Sequence, residues 1–124
     1  MRTARYEHGC FSVTENGEVT KVVVVGGRGS GGISLATAEI LDIQSMQWQP
    51  LPNPPFAMSY GIAVESVIGP YLGFSIGGSS EKRMIGLRKK EGENGYQWDY
   101  LNGLSTSRSG LTVVNAPRSI LPSC

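Results

Sequence analysis

Short apolar runs, cut by glycine, proline and polar turn residues, recur along the chain. Residues 8–13 (His8-Gly9-Cys10-Phe11-Ser12-Val13) read as a first strand. Asn16-Gly17 follows, a pair suited to a type I′ hairpin because both central positions need positive φ. The return strand spans 19–25 and ends in Val22-Val23-Val24-Val25, four valines that fit a strand buried on both faces. Gly26-Gly27 stops it, where the backbone must turn sharply or approach a neighbour closely. A glycine-rich loop (28–32), a strand at 37–42, a turn at 42–45 and a strand at 46–51 carrying Trp48 complete a first unit. Pro52-Asn53-Pro54-Pro55 lacks the donors a ladder needs and reads as a connector.

The order then repeats. Strands are expected at 60–64, 71–76, 84–87 and 96–101, with turns at 66–70 and 89–95 and a polar loop at 79–83. Gly77-Gly78 stands where Gly26-Gly27 stood, 51 residues on, and Trp98 follows Trp48 by 50. Two landmarks returning at one interval mark an internal repeat, and a period of about 50 residues suggests propeller blades. A further strand opens at 108–114. The expected architecture is all-β: a partial propeller of two four-stranded antiparallel blades plus one extra strand, with blades at 5–54 and 55–104 and a third beginning within 105–124.

Length and composition agree with this reading. The chain has 124 residues, enough for one modest core, with 40% hydrophobic and 17% charged residues. Seventeen glycines among β-branched runs point to many tight turns. A net charge of +1 argues for neither nucleic acid nor an acidic membrane surface. No apolar stretch reaches the roughly 18 residues that span a bilayer, and the first eight residues lack a signal-peptide core. The expectation leans towards the cytoplasm and leaves the compartment open.

The residues Arg5, His8, Gly9, Gly26, Gly27, Glu39, Asp42, Trp48 and Leu51 together resemble the kelch motif. A second round carries Gly61, Gly77, Gly78, Trp98 and Leu101, and a third opens with Arg108 and Gly110. The second departs from the pattern: Met58-Ser59-Tyr60 lacks the arginine seen at Arg5 and Arg108, and Met84-Ile85-Gly86-Leu87 stands in place of Ala38-Glu39-Ile40-Leu41-Asp42. The resemblance implies a propeller of four to eight blades, of which this chain holds a part. Its partners would be the remaining blades, or further copies through self-association, since an open pair leaves sheet faces uncovered.

Several residue patterns invite chemistry. Gly27-Arg28-Gly29-Ser30-Gly31-Gly32 satisfies GxGxxG after a valine-rich strand, the setting of a dinucleotide site if residues 33–41 formed a helix. The competing reading is a blade loop in a glycine-rich chain. Its downstream segment has no clear second strand ending in an acidic residue, and the Gly77-Gly78 unit has no such loop. His8, the single histidine, lies two residues from Cys10 on one strand face, too little for a metal cluster, and is expected to pack against backbone as a hydrogen-bond partner. The several histidines and tyrosines of an oxidase-type kelch site are missing, and no serine or cysteine nucleophile has its own base. Trp48 and Trp98 recur at a structural period and are expected in packing. Arg88-Lys89-Lys90 and Lys82-Arg83 are offset by Glu81, Glu91 and Glu93, as on a solvated hairpin.

The expectation is therefore a protein–protein interaction module without a cofactor, compatible with ligase adaptors, cytoskeletal binders and secreted scaffolds alike. The alternative is a nucleotide-binding or oxidase-type enzyme fragment using the 27–32 loop. Loops 28–34 and 79–83 leave equivalent strands, and Arg28, Lys82 and Arg83 are the expected partner contacts.

Overall fold

The structure is a computed structural model describing residues 1–66, 69–78, 83–92 and 95–101. Among the described residues eight strands run in chain order: β1 Gly9–Glu15, β2 Glu18–Val25, β3 Ala38–Asp42, β4 Gln47–Pro50, β5 Ile62–Glu65, β6 Tyr71–Ile76, β7 Met84–Lys89 and β8 Tyr96–Leu101. They form two four-stranded sheets, β1-β2-β3-β4 and β5-β6-β7-β8, in which every neighbouring pair is antiparallel. The expected strand at 108–114, with Arg108 and Gly110, lies outside the described residues.

Local chemistry explains the turns. Asn16 and Gly17 adopt φ of 52° and 81°, the pair of positive angles a type I′ hairpin requires. The Asp42 carboxylate accepts from the Ser45 amide at 2.9 Å and the Ser45 hydroxyl at 3.1 Å, closing the β3–β4 turn. Pro50 sits in the outermost strand of its sheet, where a missing N–H costs no ladder bond on the open side.

The side-chain alternation of the strands decides how the sheets stack. Phe11, Val13, Val23, Val25, Ala38 and Ile40 point one way from the first sheet, and Ile85 and Leu87 point towards them from the second, in one buried cluster. Phe11 lies directly on Gly73, where any Cβ would collide with its ring. Val24 is buried on the opposite side, where Val22 is half-buried, so the valine run is covered on one face and only partly on the other. The Glu65 carboxylate links the innermost strands, accepting from the Ser12 hydroxyl at 2.8 Å and the Thr14 amide at 2.6 Å.

Two details depend on the partner strands. Gly61 is the counterpart of His8. Gly9 pairs with Val25 and Ile62 with Ile76, each one step before the twin glycines, so Gly61 stands opposite Gly77 and matches His8. A side chain there would press on the Gly77 carbonyl, 2.9 Å from a built Cβ. Residues 33–41, which the dinucleotide reading needs as a helix, form extended bridges at Ser34 and Leu35 and then β3. The 27–32 loop closes as one 3-10 turn, Ser30–Gly32, between antiparallel strands. A Rossmann site needs a parallel strand and a helix N-terminus aimed at phosphate; this loop supplies neither.

Candidate partner-binding end

Both twin-glycine pairs lie at the same end of their sheets, and the chain is stitched together there. Gly26 and Gly27 have φ of 65° and 90°, and Gly77 and Gly78 have 69° and 124°. At Gly27 a Cβ would stand 2.6 Å from the Tyr6 carbonyl oxygen, so conformation and space both demand glycine. The freed backbone reaches three segments: the Gly27 amide donates to the Met58 carbonyl at 2.7 Å, the Leu35 amide to the Gly27 carbonyl at 2.8 Å, and Arg28 and Tyr6 exchange bonds of 2.7 and 3.0 Å. Tyr60 joins through its amide, which donates to the Glu7 carbonyl at 3.1 Å.

On this frame Arg28 holds two partners. Its guanidinium lies 4.9 Å from the centroid of the Tyr60 ring, and Nε stands 3.4 Å from a Glu7 carboxylate oxygen. That Nε is buried and makes no hydrogen bond, so the Glu7 contact is an ion pair only. The neighbouring Glu7 carboxylate, and then burial, hold the Tyr60 phenol above its ordinary pKa. Arg83 lies 4.0 Å over the Phe56 ring, with the Tyr100 ring centroid 5.8 Å away. Phe56 and Tyr100 stack at 6.1 Å with planes tilted by 35°. Arg28 and Arg83 thus sit at one end of the two sheets, each against an aromatic ring of the connector between them. Lys82 lies outside the described residues.

The sequence reading missed the aromatic side of this end. Tyr6, Ile33, Tyr60 and Tyr100 are all exposed here, Ile33 to 70%. They come from four separate segments, so no local pattern in the chain unites them. Overlaying the two rounds on their twin glycines is the one signal that could have gathered them.

The remaining motif residues do structural work. Arg5, buried, donates to the Gly26 and Thr37 carbonyls at 2.8 and 3.0 Å and pairs with Glu39 at 2.9 Å. Glu39 also accepts from the Arg2 amide at 2.6 Å and the Thr3 amide at 3.2 Å. Burial pushes its carboxyl up, but the bonds from Arg2, Arg5 and Thr3 outweigh that and hold it below the ordinary value. In the second sheet Met58 and Ile85 occupy the corresponding places, so an ion pair in one repeat is replaced by an apolar contact in the other. That paired exchange accounts for the second round's departures from the motif. Leu51 is buried in the core, and Leu101, its counterpart at the end of β8, is half-buried.

Trp98 packs on the core, and its Nε1 donates to the Pro52 carbonyl at 2.8 Å, tying the second sheet to the connector. Trp48 pairs with Leu41 as Trp98 pairs with Leu87, and is half-buried. The His8 Nδ1 is buried and makes no hydrogen bond, and the Cα and Cβ of His8 lie against Gly27. Burial, and then the positive Arg5, lower its pKa. Cys10 is exposed.

A kelch motif matches residues 20–55, which take in β2 from its third residue, β3, β4 and the proline connector. The first sheet, from Thr20 onward, matches that motif. The second sheet repeats its strand order and antiparallel pairing, with the twin glycines and tryptophan in matching places, as blades of a kelch β-propeller do. No curated protein matches the chain.

Proposed function

We propose that this chain is part of a kelch β-propeller, with blades at 5–54 and 55–104 and a third opening within 105–124, and that it holds a protein partner on its twin-glycine end. One observation carries the reading: two arginines stacked on aromatic rings share that end with Tyr6, Ile33, Tyr60 and Tyr100, all exposed. Tyrosine and arginine dominate binding hot spots because they combine large contact area with directional polar groups. The twin glycines support it by fixing the loops from beneath, so that contacts form without ordering a flexible segment. Arg28 and Arg83 are the anchoring contacts, and Lys82 is assigned with them from the sequence alone.

Site-specific photo-crosslinking tests this. A photoreactive phenylalanine analogue at Ile33 or Tyr100 is expected to trap a protein partner in cells, and Arg28→Glu is expected to abolish the adduct. The same analogue at Val19 or Met46, exposed at the opposite end, serves as control. Adducts formed from the control sites, and not from Ile33 or Tyr100, would overturn the assignment.

A further inference from the structure

At the twin-glycine end positive φ falls on Gly26, Gly27, Gly77 and Gly78, but also on Glu7 at 55° and Tyr60 at 59°. The other described non-glycine residues with positive φ, Asn16 and Met46, lie in the β1–β2 and β3–β4 turns. Glu7 and Tyr60 instead stand just ahead of β1 and β5. They are equivalent, since each precedes one member of the counterpart pair His8 and Gly61. They also touch, the Tyr60 amide donating to the Glu7 carbonyl at 3.1 Å.

An L side chain is strained at such angles, a bulky one most of all, and glycine in the same place is not. Burial does not offset the strain here. Glu7 is exposed, Tyr60 is 39% exposed, and neither belongs to the core cluster. What the two side chains share is Arg28. Glu7 sets a carboxylate oxygen 3.4 Å from its Nε, and the Tyr60 ring centroid lies 4.9 Å from its guanidinium carbon. The Arg28 backbone is pinned by bridges to Tyr6 and Ser34, and its buried Nε donates to nothing. Half-exposed ion pairs and stacked cations contribute modestly to folding. They do remove rotamer freedom from a long side chain before it binds.

We infer that Glu7 and Tyr60 are positioning residues, strained side chains of adjacent sheets that clamp Arg28 in one orientation for the protein partner. The inference rests on the partner-binding reading above. It adds that fold stability and partner contact oppose each other at these two positions.

Glu7→Gly and Tyr60→Gly in the full chain test this. Relief of strain should at least offset the lost contact and the added freedom of the unfolded chain, so each variant should melt no lower than the parent. The photo-adduct formed from Ile33 should nonetheless fall several-fold in each. Nitrogen-15 NMR reads the clamp itself. The buried Arg28 Nε–H should exchange with water several-fold faster in either glycine variant, and Arg28→Lys identifies its signal by removing it. Tyr60→Phe keeps the ring, and should keep both the slow exchange and the adduct. A melting temperature several degrees below the parent in either glycine variant would assign that side chain to the fold and overturn the inference. Unchanged Nε–H exchange would overturn it as well. A parent chain that forms no Ile33 adduct would sink the partner-binding reading and this one together, whereas an adduct undiminished in the glycine variants sinks this one alone.

Discussion

Arg5 and Glu39 have side chains 0% and 4% exposed, and they meet at 2.9 Å. Such a pair is held by mutual compensation, because either charge alone would be buried without a partner. Arg5→Met should therefore cost about 3–5 kcal/mol. The double change Arg5→Met with Glu39→Ile copies what the second sheet has at Met58 and Ile85, and should return stability to within about 1 kcal/mol of the parent or exceed it. Denaturant unfolding of the two singles and the double measures the coupling. Equal losses from the double and from Arg5→Met alone would show that the site cannot repack as its counterpart has.

Among the elements, two glycines report different forces. Gly17 has φ of 81° and nothing within 4 Å of a built Cβ, so Gly17→Ala strains only the backbone and should cost about 1–2 kcal/mol. Gly73 lies under the Phe11 ring in the space between the sheets. Gly73→Ala should cost about 1–3 kcal/mol by overpacking, and Phe11→Leu in the same chain should recover part of it, whereas Phe11→Leu should do nothing for Gly17→Ala. Thermal melts of these variants separate turn strain from inter-sheet fit. Trp98→Phe keeps the ring's apolar contact and loses the bond to Pro52, a loss expected near 1 kcal/mol.

For the whole molecule, charge sets the pH range of stability. His8 is held neutral by burial and by Arg5, so its folded pKa lies below the ordinary 6.5. As pH falls through 6.5 the unfolded chain takes up this proton first, and stability declines until the lowered value is reached. Glu39 and Asp99, whose carboxyls are held below 4.5 and 3.8, extend the loss at lower pH. For Asp99 the bonds from Gln97 and then Arg88 are the main causes. On the alkaline side, the raised Lys21 and Tyr71 both favour the protonated form when folded, so stability falls again above about 10. Melting temperature against pH should trace a dome whose acid limb begins near 6.5, and His8→Gln should move that onset down towards the carboxylates. An onset unmoved by His8→Gln would assign the limb to other groups.

Strand order, hairpin positions and the repeat were legible in the chain because each is set by near neighbours: Asn16-Gly17 needs only its own φ angles, and Val22 to Val25 needs only to be covered. Twin glycines and tryptophans at one period also carried the kelch resemblance. Register was not legible at Gly61, since a one-step offset depends on the partner strand. The stacking of Arg28 on Tyr60 and of Arg83 on Phe56 was equally hidden, because contacts across the connector are made only when the two sheets pack. Tertiary structure alone decided which face of each sheet is buried and which looks outward, for alternation along a strand defines two faces without saying which one meets a neighbour.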